Sequence, residues 1–361
     1  MSVSMAPARS IYWSDIVDEI APAGWPATLG RTASATLADV ARRLPVAGTA
    51  AIIAECRLDE VPARVDVSVR LTQDAAAWIA AHDGSGLLAP AHPARSVVRQ
   101  LLDEFRPDGI ARVARRECWL EFDSDSNDAL SPPSCFVAIR RDRSVSGDAV
   151  AELLRIVAPH VAAPVRHEVA RVVDALPLRA SLAQLGLMLG RSPDAPIRLC
   201  VRGASADELD AIWARVGRGG PSPAPALREW SGGDDAARAD YVDFDVLEGL
   251  GSRVGLEFRC DRRSQARGAL RERAWLLRLR AAGFIAAEWI DALCEWPGAR
   301  RVTLPHQLWP SLTARVVNHC KLIVADGAVT AVKAYCMLLH QDAPPRPTTS
   351  RSDSPFTLRS T

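Results

Sequence analysis

Residues 62–72, PARVDVSVRLT, alternate polar and apolar side chains. Arg64, Asp66, Ser68, Arg70 and Thr72 fall on one face, Val65, Val67, Val69 and Leu71 on the other. A period of two describes a strand with one wet and one apolar face. Segment 50–60 precedes it as hairpin partner, and the pattern recurs. Segments 109–125 with 134–141, 181–191 with 195–203, and 240–248 with 252–261 read as three more hairpins. A fifth is NHCKLIVADGAVTAVKAYCMLLH, 318–340, with Asp326-Gly327 as its turn signal.

Between the hairpins the sequence predicts helices. They fall near 12–20, 35–44, 93–105, 148–157 and 166–176, then from Ser205 to about 216, and at 265–282 and 286–296. Ser205-x-x-Glu208 is a capping box. Segment 217–233 is rich in Gly and Pro and reads as loop; it lacks the Gly-Lys-Ser/Thr of a phosphate loop. Trp213, Trp275, Trp289 and Trp296 read as helix packing.

About ten half-polar strands in helix-flanked hairpins predict an α+β fold. It is a ten-stranded antiparallel β-barrel with helices outside and a wet lumen, since closure leaves no strand edge open. The alternative is two α+β domains with separate sheets, split near Ala180. The barrel domain is expected over 11–340, with a flexible start at 1–10 and a tail at 341–361 of disorder-like composition.

Composition narrows the function. Net charge is +1 over 361 residues, so no general polyanion binder is indicated. No apolar run approaches a membrane span, and the N-terminus lacks the apolar core of a signal peptide. Eight cysteines form no Cys-x-x-Cys, and seven fall in predicted strands; free thiols and a cytoplasmic setting are expected. The histidines show no metal-ligand spacing.

The fifth hairpin holds every lysine, Lys321 and Lys333, among 44 basic residues. Lysine is a compact point charge and arginine a planar fork, so the hairpin reads either as a site for compact cations or as chance. A two-residue Asp326-Gly327 loop puts the lysines on opposite faces. A three-residue loop with a Gly bulge places His319 opposite Lys333 and gives Lys321, Lys333 and Tyr335 one face. The second register is adopted.

The element order, with Lys333-Ala334-Tyr335, resembles the ABBA-type or PT-barrel aromatic prenyltransferases over roughly 12–340. The resemblance implies transfer of an allylic group from a diphosphate to an aromatic or peptide acceptor. It implies that Lys321, Lys333 and Tyr335 hold the diphosphate, with His319, Tyr241 and the inward-reading Arg64, Arg70, Arg198, Arg202, Arg253 and Arg259. Glu55, or else Glu121, would anchor the acceptor. Trp119, Phe136 and Met188 would form the lumen wall. Two departures stand out: only three tyrosines exist, and the inward set is acid-rich, with Asp66, Glu117, Asp243, Asp245 and Glu257 beside Glu55 and Glu121.

Those acids leave other readings open. Asp243, Asp245 and Glu257 suit Mg²⁺ or proton transfer, or else pairing with Arg253 and Arg259 across their hairpin. Glu121 with Asp123 offers the same two readings, with Arg140 and Arg141 as the cross-strand partners of the second. His319 is a general base or a structural histidine. A non-prenylating barrel enzyme acting on an amino acid or peptide, and a non-catalytic peptide-binding partner, are the competing functions.

Overall fold

Eleven strands form one sheet in the computed structural model of the chain. The structure describes residues 12–20, 31–44, 49–61, 64–71, 93–103, 113–123, 133–140, 145–189, 195–217, 220–231, 238–304 and 310–342. The strands are β1 (Thr49–Arg57), β2 (Val65–Leu71), β3 (Ala114–Phe122), β4 (Ser134–Ile139), β5 (Ser181–Leu187), β6 (Ile197–Arg202), β7 (Tyr241–Val246), β8 (Leu250–Arg259), β9 (Gly298–Val302), β10 (Ser311–Ala325) and β11 (Ala328–Asp342). β1 to β8 pair in sequence order, β8 pairs with β10, β10 with β11, and β11 returns to β1. Ten antiparallel strands thus close a barrel, and the two-domain alternative falls. β9 lies outside the ring, on residues 311–315 of β10.

Ten helices are described: α1 (Trp13–Ile20), α2 (Arg31–Arg43), α3 (Pro93–Asp103), α4 (Gly147–Val157), α5 (Ala163–Asp174), α6 (Ala206–Val216), α7 (Ala224–Trp230), α8 (Arg262–Gln265), α9 (Arg273–Ala281) and α10 (Ala287–Glu295). Helix side chains share one apolar cluster with the outward strand residues, including Val65, Val67, Val69 and Leu71, all fully buried. Burial at about 25 cal/mol per Å² holds the strands to their helical jacket. The inward face is left for polar groups.

Three local expectations change. Segment 217–233 contains α7, whose Trp230 packs edge-on against Phe284, so tertiary burial outweighs its Gly/Pro flanks. The helix expected over 265–282 is broken at Gly268, whose φ of 75° leaves the right-handed region. β9, GARRV, has no clean alternation and escaped the period-two reading. Residues 1–11 and 343–361 lie outside the described set, and β11 runs two residues into the expected tail.

The lysine hairpin corrects the adopted register. Asp326 (φ 51°) and Gly327 (φ 81°) form a two-residue turn, with Ala325 opposite Ala328. The ladder then shifts between Ile323 and Val324, leaving Thr330 extra; its hydroxyl donates to the Ile323 carbonyl at 3.2 Å. Lys321 therefore faces Lys333, and His319 faces Tyr335 rather than Lys333. The expected common face survives, by a bulge in β11 instead of a longer turn.

β10 changes partners along its length, pairing β9 over 311–315 and β8 over 319–325. Buried Gln265 fills the gap. Its Nε2 donates to the Val317 carbonyl and its Oε1 accepts from the Val317 N–H, both at 2.8 Å. A side-chain amide thus completes the edge and ties α8 to the barrel end, where Arg262 lies.

Candidate functional site

Strand register sends Glu55, Asp66, Glu121, Arg198, Asp243, Lys321 and Lys333 to one chamber, at the end where the strand-to-strand turns lie. Its volume is about 330 Å³. Eleven of its thirteen lining residues are ionisable, Gly255 and Ile323 being the exceptions. Burying such charges is tolerable only when they are matched.

They are matched closely. Lys321 Nζ lies 2.7 Å from Asp243 Oδ2 and 3.4 Å from Glu257 Oε1. Lys333 Nζ donates to Glu55 and sits 3.6 Å from Asp66. Arg198 donates twice to Asp245, at 2.8 and 3.1 Å. The lysines are therefore spoken for, and the expected pairing of Asp243 and Asp245 to Arg253 and Arg259 is wrong. Their partners come from β6 and β10, which flank the β7–β8 hairpin. Gly255 makes room: a Cβ there would overlap Asp243 Oδ1 and Lys321 Cε.

The far end, where the helices join the strands, differs. Arg202 and Arg259 bracket the Tyr241 ring, 5.3 and 5.1 Å from its centroid, and donate to its hydroxyl at 3.1 and 2.7 Å. Arg262 donates to Asn318 Oδ1 at 2.7 Å. Among the described residues no carboxylate forms an ion pair with these three. Arg70 joins them, but Glu117 takes its guanidinium through two 2.9 Å bonds. Between the ends lies an apolar wall. Phe136, Met188 and Cys200 form one patch, Ala51, Ile53, Val316, Tyr335 and Met337 another, and Trp119 packs against both. His319 stacks on Tyr335 at 3.8 Å, with Lys321 over the same ring.

Proximity splits the carboxylates. Burial opposes ionisation of Glu55, but Lys333, then Lys321, and hydrogen bonds from Lys333 and Tyr335 bring its pKa down to about 2. Burial and the Glu55 charge raise Glu121 to about 8, against Arg198 and Lys333. Burial, opposed by Lys321 and reinforced by Asp243, raises Glu257 to about 7. Burial and the Lys321 charge drop His319 to about 3, leaving it neutral. The site thus holds two carboxylates kept ionised, Glu55 and Asp243, one carboxylic acid, Glu121, and one carboxyl poised near neutrality, Glu257.

The structure brings together the expected Glu55, Glu121, Lys321, Lys333 and Arg198, with Arg64 and Arg253 at the chamber rim. Trp119, Phe136 and Met188 meet as the expected wall. Arg70, Arg259, Tyr241 and His319 belong to the far end. Glu121 lies opposite Ser134 in the β3–β4 ladder, whose other end carries Arg140, and it lines the chamber beside Arg198. Arg141 lies outside the described residues. Asp243, Asp245 and Glu257 do not fit a resident cation: the Lys321 ammonium sits between Asp243 and Glu257, and Arg198 holds Asp245. Arg262 and Gln265 were missed, for neither lies on a strand and only α8's position gives them meaning. All eight cysteines are free thiols. No described helix is long and apolar enough to cross a membrane.

No protein-family model matches the sequence, and no curated protein matches it. Solved structures do. The chain is similar to the prenyltransferase PriB, solved with L-tryptophan and dimethylallyl thiolodiphosphate, at 14% identity and a TM-score of 0.50, over 91% of this chain and 93% of that one. It is also similar to a 6-dimethylallyl tryptophan synthase, at 13% identity, TM-score 0.47, covering 82% and 83%. A third, 6-dimethylallyltryptophan synthase from Micromonospora olivasterospora, gives 13%, 0.46, and 79% and 80%. At such identity the PriB likeness establishes the fold: this is a PT-barrel.

Proposed function

We propose that the barrel transfers an allylic group from a diphosphate to an acceptor held among its carboxylates. One observation carries this reading: among the described residues, Arg202, Arg259 and Arg262 converge on the far end of the lumen without a carboxylate partner, next to a wall of Trp119, Phe136 and Met188. An allylic diphosphate needs both halves of that arrangement. Its anion requires uncompensated cations, and its hydrocarbon requires dry surface. The lysines expected for this role are neutralised by Glu55, Asp66, Asp243 and Glu257, so the anion-binding role passes to arginine.

The donor carbon–oxygen bond breaks, and its electron pair leaves with the diphosphate, where the guanidiniums meet the growing charge. The Trp119 and Tyr335 rings face the electron-poor carbon. The acceptor's electron pair forms the new carbon bond, and its proton passes to Glu257, whose pKa near 7 suits a base. Glu55, always ionised, anchors an acceptor N–H, and Glu121 donates a hydrogen bond from its neutral form. An aromatic amino acid or a peptide side chain is the acceptor class, by analogy with the tryptophan bound to PriB.

The test is incubation with dimethylallyl diphosphate and a panel of aromatic amino acids and short peptides. The expected outcome is a product heavier by one isoprenoid unit, with Glu257→Gln lowering turnover by about 10²–10⁴. The absence of both product and donor hydrolysis would reject the reading. A second reading, acid–base chemistry on an amino acid, is favoured by the charged lining of the chamber. It predicts thermal stabilisation by free amino acids without any diphosphate.

A further inference from the structure

The chain's net charge of +1 conceals one segment with a large excess of positive charge. Between 259 and 281 lie eight arginines, at 259, 262, 263, 267, 271, 273, 278 and 280, and all eight are exposed. The segment's two acids are engaged with backbone. Asp261 caps α8 by accepting from the Arg263 N–H at 3.0 Å, and Glu272 accepts from the Asp261 N–H at 2.8 Å. Elsewhere three exposed helix arginines have carboxylate partners, Arg155 with Glu152, Arg171 with Glu168, and Arg228 with Asp207 and Asp210, while Arg215 donates to the Ala175 carbonyl. None of the eight forms an ion pair among the described residues, though the Arg271 charge reaches Asp261. A purely solvated helix gains from i,i+4 partners and has no reason to exclude them.

The segment is continuous with the lumen. Arg259 and Arg262 stand at the far mouth, on Tyr241 and Asn318. From there α8 and α9 carry the charge outward to Arg278, which lies over the Trp230 ring. α9 alone extends about 13 Å, roughly four residues of extended peptide. A ligand entering this mouth must pass the arginines if it is longer than the lumen.

We infer that the α8–α9 segment docks an acidic stretch of a peptide acceptor, leaving the modified residue free to enter the barrel. This rests on the transfer reading only in that the acceptor is a peptide. Single-stranded nucleic acid is the competing polyanion, but it needs exposed aromatic platforms. The exposed large apolar residues of the described chain are Val61, Leu178 and Leu247, none aromatic and none in this segment. Arginine forks suit carboxylates in pairs, and charge at a mouth speeds capture of an anionic chain.

The experiment uses the full chain and fluorescein-labelled decaglutamate, read by anisotropy. Saturable binding is expected, weakening steeply with added salt. The variant R267E/R271E/R280E, whose side chains make no described hydrogen bond, should bind at least about tenfold more weakly. R155E, reversing a paired arginine elsewhere, should bind like the parent. Melting temperatures show that each variant is folded. Equal decaglutamate binding by the triple variant overturns the inference, as does tighter binding of decathymidylate than of decaglutamate to the parent. Inorganic diphosphate is titrated in parallel. Its failure to bind the parent would reject the transfer reading and leave the docking segment standing; failure of decaglutamate would do the reverse.

Discussion

Lys321 and Lys333 show how a residue's role depends on what the fold sets beside it. From the sequence they are two rare ammonium groups on one hairpin. In the barrel each is matched to two carboxylates, and Lys321 is only 7% exposed. Replacing Lys321 by Met leaves Asp243 buried without its cation and should cost about 3–5 kcal/mol, read as the denaturant midpoint. Lys321→Met with Asp243→Asn should recover most of that loss; a double variant no more stable than the single one refutes the pair. Gly255→Ala should cost about 1–3 kcal/mol by forcing Asp243 and Lys321 apart. The inward position of Glu55 and Glu121 was legible, because alternation assigns faces; the lysines' common face depended on a register that the structure corrects. Their partners were not, because each pair joins strands that the sequence separates: Glu55 with Lys333, and Asp243 with Lys321.

Elements were legible where a period was strong. Five hairpins, their outward apolar faces and the Ser205 capping box follow from local pattern, and the structure has all of them. α7 and β9 were not legible, since both owe their existence to tertiary partners. The lysine hairpin is the sharper lesson. Asp-Gly identifies the turn, but a bulge three residues later decides which side chains meet, and no residue type announces it. Gln265 has the same character. Its amide replaces a missing strand beside Val317, so Gln265→Ala should strand two buried backbone groups and cost about 2–4 kcal/mol. Hydrogen exchange should rise at Val317 in that variant, while an unchanged rate would show the amide to be dispensable.

Over the whole molecule, a sheet closed on itself with apolar groups outside must hold its polar faces inside, and the charges there make stability depend on pH. Glu55 and His319 have pKa values near 2 and 3, below their usual 4.5 and 6.5. For these two the unfolded chain binds more protons, so their contribution grows as pH rises and is lost in acid. Glu121 and Glu257, at about 8 and 7, bind more protons when folded, so stability from them falls as pH climbs from 4.5 to 8. Together the four groups place the maximum at about pH 5, with decline toward pH 8. Glu121→Gln should flatten that decline; an unchanged slope would mean Glu121 ionises normally. The closed barrel was legible in the order of hairpins and helices, whereas its division into a compensated chamber and an arginine-lined far end required the register.

That division is tested most directly by calorimetric titration of inorganic diphosphate into three proteins: the parent, R202A/R259A and K321M/D243N. Diphosphate should bind the parent, weaken by at least about tenfold, or about 1.4 kcal/mol, in R202A/R259A, and bind K321M/D243N much as it binds the parent. Binding lost with the lysine pair and kept without the two arginines would contradict the account.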